Sequence, residues 1–142
     1  MANIEHLTKL KQGASKWLDW LDRNHQPAID LVGANLQNAN LTKAYLVKAN
    51  LQQADFTNAL LCQANLTGAN QAQVELIAAN LHQANLTGAN LQSAYLIDAD
   101  LVAANLIGSD LRFVQARSAN FNSSNLIGTS IRQAYLRQAN RP

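Results

Sequence analysis

Ala34-Asn35-Leu36-Gln37-Asn38 is followed at once by Ala39-Asn40-Leu41-Thr42-Lys43, and the same figure returns as Ala64-Asn65-Leu66-Thr67-Gly68. The unit Ala-Asn-Leu-x-x has a period of five, which belongs neither to an α-helix nor to a flat strand. A three-residue extended piece closed by a two-residue turn does have that period. In such a piece Ala and Leu share one side of the chain and Asn points to the other. Ala and Leu are therefore the expected interior, and Asn the expected exterior.

The register holds far beyond these units. From Leu31 an apolar residue recurs every five positions through Leu136, with Gln71 in one such slot and the small Ala116 in another. A small residue stands two places before most of them, as at Ala44, Ala49, Ala54, Ala59 and Ala69. Four units make one square turn of chain, so residues 20 apart should stack. Gly68, Gly88, Gly108 and Gly128 keep that spacing, each at the second turn position, where a type II turn needs a positive φ. Leu and Ala dominate the composition while aromatic residues make up only 6%, which suits one repeated layer better than a varied globular core.

On these residues the chain resembles the pentapeptide-repeat proteins, whose consensus is Ala-(Asp/Asn)-Leu-x-x. The resemblance spans residues 29–142. It implies an all-β solenoid, a right-handed quadrilateral β-helix with the central Leu and the small residue two before it both inside. Ile29 to Gln138 contains 22 units, or about five and a half coils; at about 4.8 Å per coil the rod is roughly 26 Å long.

Departures from the pattern test the interior assignment. Val114 fills a small slot and Ala116 the adjacent large one, so the two exchange volume within one unit, as close packing requires. Gln71 places an amide in a central slot. Either it bonds inside or the coil bulges there, since an unsatisfied buried amide costs about 1–3 kcal/mol.

Residues 1–28 do not follow the repeat. Ile4, Leu7, Leu10, Ala14, Trp17, Leu18 and Leu21 recur at spacings of three and four, the seam of an amphipathic helix that Gly13 can divide. The expected organisation is an N-terminal α-helical cap over 1–28 and a β-helix over 29–142. Trp17 and Trp20 are the natural lids for an end that otherwise bares backbone and Leu side chains. At the other end, Arg141 and Pro142 can blunt the edge, or two chains can meet end to end as a homodimer through the C-terminal coil.

The chemistry expected of an enzyme is missing from the pattern. His6, His25 and His82 have no metal-ligand spacing with one another or with Cys62, and the glycines are explained by turns and not by a phosphate loop. No cofactor is expected, and the reading is non-enzymatic. A single cysteine leaves no internal disulfide and a reducing compartment as the default, and no apolar run is long enough for a signal peptide core or a membrane span. The expected location is the cytoplasm.

The formal charge is only +2, but the residues after Asp110 include Arg112, Arg117, Arg132, Arg137 and Arg141 and no acid. Arg112 and Arg132 are 20 apart, as are Arg117 and Arg137, so they should form two columns on adjacent faces. With the outward Phe113 and Tyr135 they form the candidate partner-binding set, of the Arg and aromatic kind enriched at protein interfaces. The expected function is a protein-interaction, scaffold or regulatory module that presents flat faces to an unidentified protein partner with an anionic surface. Nucleic acid is disfavoured because no groove-reading element is present. Some members of the family mimic duplex DNA and act on topoisomerases; that alternative needs rows of carboxylates, and this surface has the opposite sign. A purely structural repeat protein is the other alternative.

Overall fold

From Asp30 to Asn140 each outward residue of the repeat pairs in parallel with the residue 20 positions on: Asp30 with Asn50, Asn35 with Asp55, and so to Asn120 with Asn140. The computed structural model describes all 142 residues, and one coil is four pentapeptides throughout. Every pairing is a single-residue bridge, because a turn interrupts the chain after three extended residues and no longer strand can develop.

Backbone accounting explains the consensus. Leu31 donates to the Asn50 carbonyl (2.8 Å), Gly33 to Gln52 (2.9 Å), Ala34 to Leu31 (3.0 Å), and Asn50 to Ile29 (2.9 Å). Four of the five N–H groups in a unit are thus paired through main chain alone. The fifth, on the first turn residue, has no backbone partner. The Asn or Asp two residues earlier accepts it through Oδ1, as from Val32 to Asp30 (3.2 Å), His82 to Asn80 (3.0 Å) and Val102 to Asp100 (3.0 Å). All fifteen Asn and Asp residues at this position from Asp30 to Asn125 make the bond. Asn recurs because it closes the turn's account.

The second turn residue has φ near +60° at every corner, including Lys43 (62°), Gln83 (58°) and Ala103 (57°), and not only at glycines such as Gly88 (65°). No Val, Ile or Thr occupies that position. They gather one place earlier, at Val32, Ile77, Ile97 and Ile107, where φ is negative and a branched Cβ meets no clash.

The interior is two stacked columns per side, the large one mainly Leu and the small one mainly Ala, nearly all buried. Val114 and Ala116 are both fully buried, so their volume exchange is accommodated inside. Gln71 corrects the expectation of a bond or a bulge, because neither occurs. It is 0% exposed, and neither its Oε1 nor its Nε2 has a partner. The ladder runs through it unbroken, with Asn70 bridged to Asn50 and Asn90 and the Gln71 N–H donating to the Asn90 carbonyl at 2.7 Å. A bulge would forfeit several ladder bonds, whereas the straight coil leaves only one amide unsatisfied.

Helix α1 spans Ile4–Leu10 and α2 spans Ala14–Arg23, separated at Gly13, whose φ is 106°. Asn3 caps α1, accepting from the Glu5 and His6 amides at 2.9 and 3.2 Å. Leu10, Trp17 and Leu21 join the solenoid core. Ile4, 76% exposed, and Leu18 do not, which corrects the expected seam. His6 is buried in their place because its Nδ1 accepts the Asp30 N–H at 3.1 Å. The Asn3 N–H donates to the Asp30 carbonyl (3.0 Å), and the Trp17 indole N–H to the Tyr45 carbonyl (2.7 Å). Trp20 stacks on Trp17 with ring centroids 5.5 Å apart. No helix is long and apolar enough to cross a membrane.

Candidate functional site

One side of the rod breaks the rule that explains the rest. Its outward column runs Asn35, Asp55, Glu75, Tyr95, Gln115 and Tyr135, and the last four do not make the turn-closing bond, in four successive coils. The other three sides have one departure each, at Tyr45, Leu60 and Ser130. On this tyrosine face the N–H groups of Ile77, Ile97, Arg117 and Arg137 are consequently left without a partner in the chain. Each missing bond forgoes about 0.5–1.5 kcal/mol. Packing gives no reason for the change, since Tyr95 and Tyr135 are 43% and 47% exposed and the ladder through Glu75, Tyr95, Gln115 and Tyr135 keeps its register.

The predicted arginines lie on the borders of this face. Arg112 and Arg132 occupy the turn that leads into it, Arg117 and Arg137 the turn that leaves it. The stacking is fixed by the Phe113 N–H on the Arg132 carbonyl (3.1 Å) and the Ser118 N–H on that of Arg137 (3.0 Å). The two columns expected on adjacent faces therefore frame a single face, with Gln115 and Tyr135 between them. Phe113 stands exposed at the entering corner.

The four arginines are not equivalent. Arg112 is held by Asp110, with Nη2 to Oδ2 at 2.7 Å and Nε to Oδ1 at 2.9 Å. The hydrogen bond from Arg112, which outweighs a smaller effect of burial, keeps the Asp110 carboxyl below the usual carboxylate range. The expected run of uncompensated charge began one residue too late: Asp110 lies just outside it and neutralises its first member. Arg117, Arg132 and Arg137 make no ion pair.

Acidic groups share the same side. Glu75 is exposed in the outward column, and Asp98 is exposed at the leaving corner one coil before Arg117, its N–H donating to the Arg117 carbonyl at 3.0 Å. Glu75, Tyr95, Gln115 and Asp98 were not among the sequence-derived candidates. Comparing residues 20 apart in the Asn column would have found the first three, because that column changes character only here. Elsewhere, Cys62 and His82 share a column one coil apart, and no three His, Cys, Asp or Glu side chains converge to hold a metal ion.

The family model for pentapeptide repeats matches the chain at residues 29–68, 54–92, 75–112 and 104–140. The chain belongs to the pentapeptide repeat family. This pentapeptide repeat protein accordingly has the right-handed quadrilateral β-helix of that family. It is similar to HetL of Nostoc sp. strain PCC 7120, a pentapeptide repeat protein involved in heterocyst differentiation regulation, at 32% identity and a TM-score of 0.52. That likeness spans 77% of this chain and 58% of HetL, so the chain covers less than two thirds of that relative. A second Nostoc PCC 7120 pentapeptide repeat protein is 42% identical over 54% of this chain and 64% of its own, with a TM-score of 0.54. A pentapeptide repeat protein of the Arabidopsis thaliana thylakoid lumen, at 24% identity and a TM-score of 0.57 over 64% of this chain and 67% of its own, shares the fold. No curated protein sequence matches the chain.

Proposed function

We propose that this pentapeptide repeat protein is a non-enzymatic protein-interaction module whose tyrosine face, framed by Arg117, Arg132 and Arg137, binds an anionic protein surface. The rod of about five and a half coils, closed at one end by α1 and α2, is the rigid mount that holds those side chains in rows. One observation carries the reading. Four successive coils give up the turn-closing Asn on this side alone and put exposed Glu75, Tyr95, Gln115 and Tyr135 in its place. The fold gains nothing from that exchange, and aromatic and Arg side chains are those that dominate protein interfaces. The likeness to HetL supports a regulatory setting, in which binding and not chemistry is the output.

The test compares what the immobilised chain and its Arg117→Ser, Arg132→Ser, Arg137→Ser variant retain from a lysate of the source organism, once both melt at the same temperature. A protein retained by the parent and lost by the variant supports the face. Identical retention by the two removes it as a binding surface.

A further inference from the structure

The charges on the tyrosine face are ordered along the rod. Exposed carboxylates come first, at Glu75 and Asp98, and unpaired guanidinium groups follow, at Arg117 and Arg137. We infer that this face pairs with the same face of a second copy of the chain, antiparallel, about a two-fold axis lying in the face midway between the coil of Tyr95 and the coil of Gln115. The inference rests on the face being a binding surface, as proposed above, and identifies the partner's anionic groups as the chain's own.

A two-fold axis in that position reverses the order of coils and keeps each column on itself. The coil of Glu75 then meets the coil of Tyr135, and the coil of Tyr95 meets that of Gln115. In the outward column the Tyr135 hydroxyl faces the Glu75 carboxylate, and the Tyr95 hydroxyl faces the Gln115 amide, which can accept or donate. At the leaving corner Arg117 lies over Ile97 beside Asp98, and Arg137 lies over Ile77 beside Glu75. Each of these contacts is made twice. A parallel arrangement would set Arg-bearing coils against each other and Glu75 against Glu75, so charge selects the antiparallel one.

The pairing accounts for the feature the fold leaves unexplained. The four residues that abandon the turn-closing bond are the four that the two-fold axis matches, in two complementary pairs. It also gives a use to the unpaired Arg117 N–H, a main-chain donor at the corner where the opposing Asp98 carboxylate arrives. The contact covers four coils, about 19 Å along the rod. That is small beside a permanent interface, so the dimer is dilution-sensitive, and its charge pairs make it salt-sensitive.

Sedimentation velocity of the full chain across protein concentration, at low and moderate salt, reads the assembly directly. The parent is expected to shift toward dimer mass as concentration rises and back as salt is added. Glu75→Arg with Asp98→Arg, and separately Arg117→Glu with Arg137→Glu, should each be monomeric at concentrations where the parent pairs. An equimolar mixture of the two variants should recover dimer mass, which unfolded or merely damaged chains would not do. Ile131→Glu, at the C-terminal coil, should leave the dimer intact. A parent that stays monomeric, a dimer that survives both charge reversals, or a dimer lost with Ile131→Glu alone overturns the pairing. If the parent is monomeric yet loses a captured protein on the Arg117, Arg132, Arg137→Ser change, only the pairing fails and the interaction face stands.

Discussion

The indole N–H of Trp17 donates to the main-chain carbonyl of Tyr45 at 2.7 Å, which puts a helical side chain where the repeat would put the amide of a preceding coil. Leu31 makes the equivalent bond to the Asn50 carbonyl one pentapeptide further on. Asn3 and His6 do the same for the carbonyl and amide of Asp30. The helices therefore continue the ladder as well as cover the apolar end. Trp17→Phe keeps most of the buried ring but removes the donor, and should cost about 1–3 kcal/mol. Trp17→Ala adds a cavity and should cost about 3–5 kcal/mol. Urea midpoints in the order parent, Phe, Ala would support this role; equal midpoints for Phe and parent would leave only packing.

Gln71 is a buried amide without a partner. Gln71→Leu restores the repeat's own residue at similar volume and should raise stability by about 1–3 kcal/mol. The expected urea curve moves to a higher midpoint with unchanged slope. A lower midpoint would mean that the amide is satisfied in solution.

Gln83 sits at a corner with φ 58°. Gln83→Val should destabilise by about 1–2 kcal/mol, since a branched Cβ in that region clashes with its own backbone. The same change one place earlier, His82→Val, should be nearly neutral. Equal effects at the two positions would contradict the handedness assigned to the turn.

Two carboxylates give the protein an acid limit. Burial pushes the Asp55 carboxyl up, but hydrogen bonds from Thr57 and Gln37 together outweigh it and hold the group below its ordinary 3.8. Asp110 is held below the same value chiefly by Arg112. A carboxyl with a lowered native pKa contributes stability that is present above 3.8 and disappears as the pH falls through the native value. Melting temperature should thus be flat at neutral pH and fall below about 4. Asp110→Asn, which keeps the turn-closing bond, should lessen that fall without changing its direction.

The solenoid was legible because its interior is written in a five-residue code that survives at Val114 and Ala116 as a swap of volumes. The helical seam was only partly legible. Periodicity assigned Ile4 and Leu18 to the interior, but the surface to be covered is the narrow end of a square coil, and His6 won a place there through a hydrogen bond that hydropathy does not record. The arginine columns were visible from spacing alone. Their confinement to the borders of one face was not, because it depends on which corner each turn occupies. Tyr95 and Glu75 were not candidates from sequence because, met singly, each looks like an ordinary surface residue; the Asn column they interrupt becomes meaningful only once its bond to the turn is seen.

On the proposed function, the tyrosine face departs from the repeat for binding and not for folding. Replacing Glu75, Tyr95, Gln115 and Tyr135 together by Asn restores four turn-closing bonds, each worth about 0.5–1.5 kcal/mol. Thermal melting and sedimentation velocity of that variant beside the parent test the claim together. The prediction is a chain that melts several degrees higher and no longer associates. A variant that melts at or below the parent temperature and associates as before would show that these four residues serve the fold and not a partner.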